Sequence, residues 1–291
     1  MIKWQGTAYR FHPLFTLVLL FSVITGFFIE AITLFGIVLV HELGHVVCAK
    51  ALGWRVMEVQ LLPFGGVAVV DEWGGVSARD ELLVAAAGPL QHVWMIGLAW
   101  LGQHISADSS GWWNYFIQAN ILIGLFNLLP VLPLDGGKIL QGLFSYIMAY
   151  EQAIRITMRI SFGLSLLMIG FALFFAAQGQ IHLNLLMIGA FLLYSNWMGY
   201  RHVPYQFVRF LMKRGERTEL LMNKGVMAQP LLVRKQQPIK DILKMFMKEK
   251  YHFIYVIGDQ GQIHAILPEQ RLIDAYFHNY KPGSAVSDLF M

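Results

Sequence analysis

The residues best suited to chemistry are His41, Glu42 and His45, which form the pattern HExxH inside an apolar stretch. On an α-helix, residues four apart lie on one face, so both imidazoles can hold one Zn²⁺ while the glutamate between them reaches a water molecule. Zinc would make that water acidic enough for Glu42 to take its proton, and the hydroxide could attack a peptide carbonyl. Glu42 would then return the proton to the leaving amine. The pattern predicts peptide-bond hydrolysis; a polar cluster for helix packing or proton transfer is the alternative.

A third metal ligand is expected, because catalytic zinc sites normally have three protein ligands and keep a fourth position for water. Asp135 is the candidate, since it follows the segment NLLPVLPL at 127–134 and precedes two glycines. These prolines and glycines would interrupt a helix and open its backbone. Glu30 and Asp108 are also near apolar stretches, but they fall on the opposite side of the predicted membrane. A helix cap after a turn is the alternative role for Asp135.

The segment PFGG at 63–66 combines a proline with two adjacent glycines. Glycine permits extended or left-handed backbone and the close approach of another chain. Gly65 and Gly66 could therefore let this segment dip into the membrane and offer a strand edge to an unwound substrate. An ordinary tight turn is the alternative. Asn127 could hold the substrate backbone or stabilise the oxyanion.

Two residues near the apolar stretches are not assigned to the site. Cys48 lies three residues after His45 and on roughly the same helix face. It would add a fourth protein ligand to a catalytic metal, so we interpret it as small apolar filler. His92 is interpreted as a packing or hydrogen-bonding residue.

The elements that must position the site lie in a membrane. Of the 291 residues, 56% are hydrophobic and only 14% are charged, which is too apolar for a soluble globular protein. A bilayer-spanning helix needs about 20 apolar residues, and six such runs fall at 13–29, 31–52, 81–102, 113–134, 157–177 and 183–200. The first lacks a small-residue cleavage site, so we interpret it as a span and not a signal peptide. The predicted fold class is a polytopic α-helical membrane protein with six transmembrane helices and a C-terminal α/β cytoplasmic domain.

The distribution of charge predicts the orientation of these helices. The connections at 29–32, 103–112 and 178–182 contain no lysine or arginine, so all 22 of these residues fall on the other side. By the positive-inside rule, both termini are cytoplasmic. Polar groups at membrane depth are costly and mark function by default, which agrees with a site in the second span.

Composition divides the chain into three parts: a transmembrane domain at 1–200, a basic linker at 201–224 and a soluble domain at 225–291. We interpret the linker as a juxtamembrane helix and solvated connector, with attraction to anionic lipid as a secondary effect. In the soluble domain, the alternation of apolar residues predicts successive elements. These are a strand at 230–233, a helix at 239–250, a strand at 253–257, a turn at 259–261, a strand at 263–267 and a helix at 268–278.

Together these motifs resemble the site-2 protease family of intramembrane zinc metalloproteases, peptidase family M50. The resemblance covers most of the membrane part, through HELGH at 41–45, PFGG at 63–66, Gly88-Pro89 and LDGG at 134–137. The chain is most similar to the sporulation branch, whose members add a C-terminal CBS domain, and the order of elements at 225–291 resembles one CBS motif. No proline directly follows Asn127, which departs from the wider family and suits that branch.

The resemblance implies roles for individual residues. His41, His45 and Asp135 would bind one Zn²⁺ per chain, and Glu42 would be the catalytic residue. The implied substrate-binding residues are Phe64, Gly65, Gly66, Asn127 and Pro133.

The resemblance also implies partners. In the sporulation branch the substrate is a membrane-bound sigma-factor precursor of the pro-sigma-K type, processed in the bacterial mother-cell membrane around the forespore and controlled by inhibitory membrane proteins. CBS motifs work in pairs and this chain has room for one, which implies a homo-oligomer through the tails. ATP or another adenine nucleotide is an expected ligand of the tail, and a purely structural dimerisation module is the alternative. No nucleic-acid partner is expected.

Two other functions stay open from the residues alone. A membrane metal-ion transporter or sensor could use the same ligands, although transport needs no glutamate between the histidines and no further inward-facing carboxylates form a pathway. An inactive, substrate-binding relative is disfavoured because the full set of His41, Glu42, His45 and Asp135 is present.

Overall fold

The computed structural model of the chain describes residues 2–4, 7–11, 13–62, 65–71, 76–105, 111–225, 227–258, 261–278 and 283–290. The chain divides into two compact units. The first comprises Met1–Trp73 and Arg79–Ile139, and the second comprises Gly74–Ala78 and Leu140–Met291.

The first unit is built mainly from helices. Their bounds are α1 Pro13–Thr25, α2 Phe28–Ala51, α3 Ala78–Ile105, α4 Trp112–Asn127 and the start of α5 Asp135–Ile147. Long apolar side chains cover much of the helix surface, for example Ile24 at 81% exposure and Leu122 at 72%. A small buried cluster of Ile37, Met95 and Ala119 joins α2, α3 and α4. Such an apolar exterior marks contact with membrane or protein and not with water.

A sheet that the sequence analysis did not predict also belongs to the first unit. Its strands are β1 Ile2–Trp4, β2 Thr7–Phe11, β3 Arg55–Leu62 and β4 Gly65–Asp71, in the order β1-β2-β3-β4. Strands β2 and β3 pair in parallel, and β3 pairs antiparallel with β4 so that Leu62 lies opposite Gly65. Within the described residues, β4 is therefore an edge strand.

The predicted fourth span, 113–134, is wrong at its C-terminal end, because α4 stops at Asn127. Residues 128–134 form a series of tight turns, with Leu129 N–H donating to the Phe126 carbonyl and Leu134 N–H to the Val131 carbonyl. Proline lacks an N–H and clashes with the preceding helical turn, so the two prolines in this segment prevent the helix from continuing. Helix α5 begins directly afterwards, between the predicted spans 113–134 and 157–177.

The second unit contains the remaining helices and a second sheet. Beyond α5, its elements are α6 Tyr150–Ala177, α7 Leu183–Met212, α8 Arg214–Lys224, β5 Ala228–Arg234, α9 Ile239–Leu243, β6 Tyr251–Ile257, β7 Ile263–Pro268, α10 Glu269–His278 and a 3₁₀ turn at Val286–Leu289. A helix overlaps each of the six predicted spans. Of the helices in the described ranges, α2, α3 and α6 are long and apolar enough to cross a bilayer.

The part of the second unit after residue 225 follows the predicted order of strands and helices. Strand β5 pairs in parallel with β6, and β6 pairs antiparallel with β7. Asp259 and Gln260 of the predicted turn lie outside the described residues, and Gly261 beside them has φ +82°. Helix α7 continues through the predicted boundary at 200, so that Phe207 and Leu211 belong to the apolar core of the tail.

The predicted helix at 239–250 is too long, because α9 ends at Leu243. The carbonyls of Met247, Lys248 and Lys250 instead accept hydrogen bonds from the guanidinium of Arg214. These backbone groups are therefore used by a buried side chain and not by a helix. Arg214 itself was placed in a solvated linker, but its side chain is fully buried and paired with Glu269.

Candidate metal centre

Three side chains that the sequence places far apart converge in the first unit. The Oδ2 atom of Asp135 lies 3.0 Å from Nε2 of His41 and 3.0 Å from Nε2 of His45. The two Nε2 atoms are 3.1 Å apart. All three residues are buried. We refer to them as the His-His-Asp cluster; its donor atoms can approach one metal ion together.

The Nδ1 atoms of both histidines, which point away from the cluster, have partners that orient the rings. Nδ1 of His45 lies 2.7 Å from the carbonyl oxygen of Val84 on α3. Nδ1 of His41 lies 3.0 Å from Nε2 of His92, also on α3. The Nδ1 atoms therefore face the protein, while the Nε2 atoms face one another. Metal-binding histidines usually have such partners on the nitrogen that does not bind the metal.

Gly88 keeps space open beside the two rings. A Cβ atom at this position would lie 2.2 Å from Nε2 of His45 and 2.7 Å from Nε2 of His41. Zinc–nitrogen bonds in proteins are about 2.0–2.1 Å long, and two imidazoles with one carboxylate form a familiar catalytic zinc set. The donor atoms and the space that Gly88 leaves therefore fit a zinc ion.

Asp135 reaches the histidines because the backbone folds tightly around the start of α5. A Cβ at Gly136 would lie 2.1 Å from the carbonyl oxygen of Leu128, so only glycine fits there without a shift. The second carboxylate oxygen of Asp135 accepts a hydrogen bond from Lys138 at 3.0 Å. Asp135 is thus the first residue of α5, and its carboxylate has one oxygen, Oδ2, near the histidines while the other, Oδ1, contacts Lys138 of the same helix.

Comparison with known proteins agrees with this geometry. The family description "Peptidase family M50" matches residues 29–107 and 91–169. Stage IV sporulation protein FB of Bacillus subtilis is 33% identical over 295 residues, covering 100% of this chain and 99% of that protein. The chain belongs to peptidase family M50. A zinc metalloprotease of Methanocaldococcus jannaschii is 29% identical over 237 residues, covering 80% of this M50 peptidase and 64% of that protein.

A solved structure shares the fold of the M50 peptidase. The site-2 protease from Methanocaldococcus jannaschii superimposes with a TM-score of 0.55 and 27% identity, covering 68% of this chain and 93% of that one. Together with the apolar helices, this likeness confirms the predicted family, an integral membrane protein and a metalloendopeptidase of the site-2 protease type.

The other predicted site residues of the M50 peptidase lie around the cluster or outside the described chain. Glu42 is half-buried on α2 between the two histidines. Asn127 ends α4 and donates from Nδ2 to the Ile123 carbonyl of its own helix. Pro133 is exposed in the turn before α5. Gly65 and Gly66 begin β4, and Phe64 lies outside the described residues.

Two contacts of the M50 peptidase were not predicted from the sequence. His92, interpreted there as a packing or hydrogen-bonding residue, contacts a member of the cluster directly. Asn120 on α4 accepts a hydrogen bond from His92 and was not named at all. The sequence did contain one indication of their importance: both are polar residues inside apolar runs, and a polar side chain at membrane depth is costly. Cys48 is outside the group of described residues that could hold a metal.

Proposed function

We propose that this M50 peptidase hydrolyses a peptide bond of a membrane-associated protein, with His41, His45 and Asp135 as ligands of one Zn²⁺ and Glu42 as the catalytic residue. The convergence of three buried donor atoms within 3.0–3.1 Å of one another carries this proposal. Without a cation, the negative charge of the buried carboxylate would face the Nε2 lone pairs of the two imidazoles, which is unfavourable. A bound zinc ion gives all three atoms a common partner.

Glu42 moves the proton in this reaction. Zinc, when bound, supplies a Lewis acid that polarises the peptide carbonyl and acidifies a water molecule. Glu42 accepts a proton as the water oxygen attacks the carbonyl carbon, and the carbonyl π electrons move onto its oxygen. Glu42 then donates that proton to the amide nitrogen as the carbon–nitrogen bond breaks. The products are a carboxylic acid and an amine, which exchange a proton to become a carboxylate and an ammonium group.

Strand β4 is the proposed substrate-binding edge. A transmembrane helix hides its peptide groups in internal hydrogen bonds, so it must unwind before hydrolysis. An unwound segment can pair with a sheet edge, which satisfies its exposed backbone groups. Gly65 and Gly66 allow the close approach of such a chain. Phe64, Asn127 and Pro133 complete the proposed set of substrate-binding residues, with Asn127 holding the substrate backbone or the oxyanion.

The proposed topology has six transmembrane helices with both termini in the cytoplasm. Its support is the absence of lysine and arginine from 29–32, 103–112 and 178–182. Cysteine labelling tests it in a Cys48→Ala chain, because Cys48 is the single cysteine. A cysteine in place of Gln180 should react with a membrane-impermeant reagent from outside, whereas one in place of Asn223 should not. The reverse labelling pattern would contradict this orientation.

The similarity to stage IV sporulation protein FB favours a sporulation sigma-factor precursor, of the pro-sigma-K type, as substrate. We place the protease in the mother-cell membrane around the forespore, where membrane proteins would inhibit it.

The tail at 225–291 is a proposed CBS-like domain that pairs in a homo-oligomer and binds ATP or another adenine nucleotide. Equilibrium dialysis of the purified full chain with labelled ATP, together with its mass in micelles, tests both parts; a monomer that binds no ATP contradicts them.

The decisive experiment compares three variants co-expressed with the membrane-bound precursor. The wild type and Cys48→Ala should cleave it, and Glu42→Gln should not, while all three retain about one zinc per chain. Cys48 is the matched control because it lies on the same helix one turn beyond His45. Cleavage by Glu42→Gln, or a wild type without zinc, would overturn the proposal. Zinc flux into vesicles that is independent of Glu42 would favour the transporter.

A further inference from the structure

We propose that His92 and Asn120 are positioning residues, which hold His41 in the single tautomer whose Nε2 lone pair faces the metal. This inference rests on the proposed zinc site. Its basis is a chain of three hydrogen bonds that joins helices α2, α3 and α4 and ends at a backbone carbonyl.

The three bonds follow one another through buried groups. His41 Nδ1 lies 3.0 Å from His92 Nε2, and His92 Nδ1 lies 2.9 Å from Asn120 Oδ1. Asn120 Nδ2 then donates to the carbonyl of Phe116 at 2.9 Å. His92 is 3% exposed and Asn120 is 0% exposed. Water therefore does not compete for these groups.

The Phe116 carbonyl at the end of this series of hydrogen bonds determines which group donates in each bond. A carbonyl oxygen only accepts, so the amide of Asn120 must present its NH₂ group to Phe116 and its oxygen to His92. His92 must then donate from Nδ1. A neutral imidazole has one donor and one acceptor, which leaves Nε2 of His92 as the acceptor for Nδ1–H of His41. Nε2 of His41 consequently carries the lone pair that a metal requires.

His45 reaches the same state by a shorter route. Its Nδ1 faces the Val84 carbonyl at 2.7 Å, and that carbonyl can only accept. Nδ1 of His41 instead faces another ring, that of His92. A ring can accept or donate, so the second partner, Asn120, is needed to fix which one it does.

The helix packing makes room for this arrangement. A Cβ atom at Gly124 on α4 would lie 3.1 Å from Cδ2 of His92, so the missing side chain lets α4 approach the ring closely. The site is within apolar helices, where a lost partner is not replaced by water. Removal of either residue should therefore leave His41 free to adopt the other tautomer, whose Nε2–H cannot bind zinc.

The test measures metal binding by the purified full chain in detergent micelles, using zinc in competition with a chelator. His92→Phe and Asn120→Leu should weaken zinc binding by about 10–100-fold, the usual effect of losing a partner of a ligand. His92→Gln, which keeps one acceptor and one donor, should restore most of the affinity. Cobalt added in place of zinc should give an altered absorption spectrum in the two apolar variants and a nearly native one in His92→Gln.

Thr33→Val is the matched control for helix packing. Trp112 Nε1 donates to Thr33 Oγ1 at 3.2 Å, so this variant removes another, partly buried bond between α2 and α4 without touching the cluster. It should bind zinc as the wild type does. Equal loss in Thr33→Val and His92→Phe would reduce the effect to general packing and overturn the inference, as would undiminished affinity in folded His92→Phe or Asn120→Leu.

A measurement without any variant keeps the inference falsifiable if the substituted chains do not fold. Nitrogen NMR of zinc-loaded, histidine-labelled wild type should find the proton between the two rings on Nδ1 of His41, with Nε2 of His92 unprotonated. A proton on Nε2 of His92 would overturn the inference. Failure of the wild type to bind zinc, or zinc binding that survives His45→Ala, would instead contradict the proposed function, so the two failures are distinguishable.

Discussion

The missing Cβ of Gly88 would lie 2.2 Å from Nε2 of His45, closer than the 3.0 Å below which a neighbouring group must shift. The ring of His45 cannot shift easily, because its Nδ1 is held by the Val84 carbonyl. Gly88 and Val84 lie one helical turn apart on α3. The same helix therefore fixes the ring from one side and leaves space for the metal on the other.

Gly88→Ala should abolish zinc binding while leaving the fold largely intact. The added methyl group would occupy the space beside both Nε2 atoms and push the rings apart. Because loss of an indirect partner already costs about 10–100-fold in affinity or activity, we expect cleavage to fall by more than about 100-fold. Zinc content of the purified variant and cleavage of the co-expressed precursor check this result.

Gly97→Ala is the control for this prediction. It lies on the same helix, and a Cβ there would meet nothing within 4 Å. Alanine favours a helix over glycine by about 1 kcal/mol, so this variant should be as stable as the wild type or more so. Normal zinc content in Gly88→Ala, or equal loss in Gly97→Ala, would show that the space at position 88 is not needed.

Local spacing predicted the two histidines of the cluster, whereas Asp135 also had a possible role as a helix cap and the family resemblance favoured it as a ligand. Two histidines four residues apart must share a face when their segment is helical. The prolines before Asp135 predict the turn that separates α4 from α5. The contact between His41 and His92 joins residues that are 51 positions apart and lie on different helices. No spacing in the sequence indicates which of two rings meets which, so tertiary packing alone determines this contact.

Nonlocal pairing also explains the errors elsewhere. The pairing of Tyr9 with Val59 joins strands from distant parts of the chain, and short strands were overlooked beside the stronger hydropathy of the helices. Arg214 lies among other basic residues, and this composition predicted a solvated segment. Its burial depends on Glu269, 55 residues later, which supplies the opposite charge.

Gly136→Ala should weaken zinc binding by displacing Asp135. Its Cβ would lie 2.1 Å from the Leu128 carbonyl oxygen, and a backbone atom cannot rotate away as a side chain can. The first turn of α5 must then move, and Asp135 with it. We expect a loss of at least about 10-fold in zinc affinity. Gly36→Ala on α2, where a Cβ would meet nothing within 4 Å, should bind zinc normally; equal affinities would refute the displacement.

Asp135→Asn should lose most bound zinc, whereas Lys138→Met should retain it. The amide keeps the shape of Asp135 but not its charge, and the carboxylate oxygen nearest the histidines is the proposed ligand. Lys138 contacts only the other oxygen, at 3.0 Å, and its side chain is 56% exposed. Its loss should therefore cost less than about 10-fold in affinity, as for a solvated charge. Chelator competition on both variants separates the two roles, and a native affinity in Asp135→Asn would exclude it as a ligand.

Arg214→Ala should destabilise the tail domain strongly. The guanidinium is fully buried against Glu269, and it also binds three backbone carbonyls. Removing one partner of a buried ion pair costs about 3–5 kcal/mol, because the other charge is left uncompensated. Hydrogen exchange of β5 and β6 in the full chain measures this loss. Lys244→Ala, which breaks the more exposed pair with Asp241, should cost less than about 1 kcal/mol; equal protection in both variants would contradict the prediction.

Acid should destabilise the tail in two stages, the first set by His252 and the second by Glu269. Burial and the charge of Arg214 lower the pKa of His252 below 6.5, despite its hydrogen bond to Glu269. Burial alone would raise the pKa of Glu269, but the hydrogen bond from His252 and the charge of Arg214 outweigh it and lower that pKa from 4.5 to about 2. Both groups bind a proton more readily in the unfolded chain, so stability is complete above pH 6.5 and falls as the pH drops.

The second stage of this acid loss belongs to Glu269. It should extend from pH 4.5 down to about 2, as the unfolded carboxylate takes up a proton that the folded one refuses. Hydrogen exchange of β6 against pH in the full chain measures both stages. Glu269→Gln cannot be protonated, so it should be less stable at neutral pH and should lack the second stage. A profile in Glu269→Gln that still falls across that lower range would assign the acid sensitivity to other carboxylates.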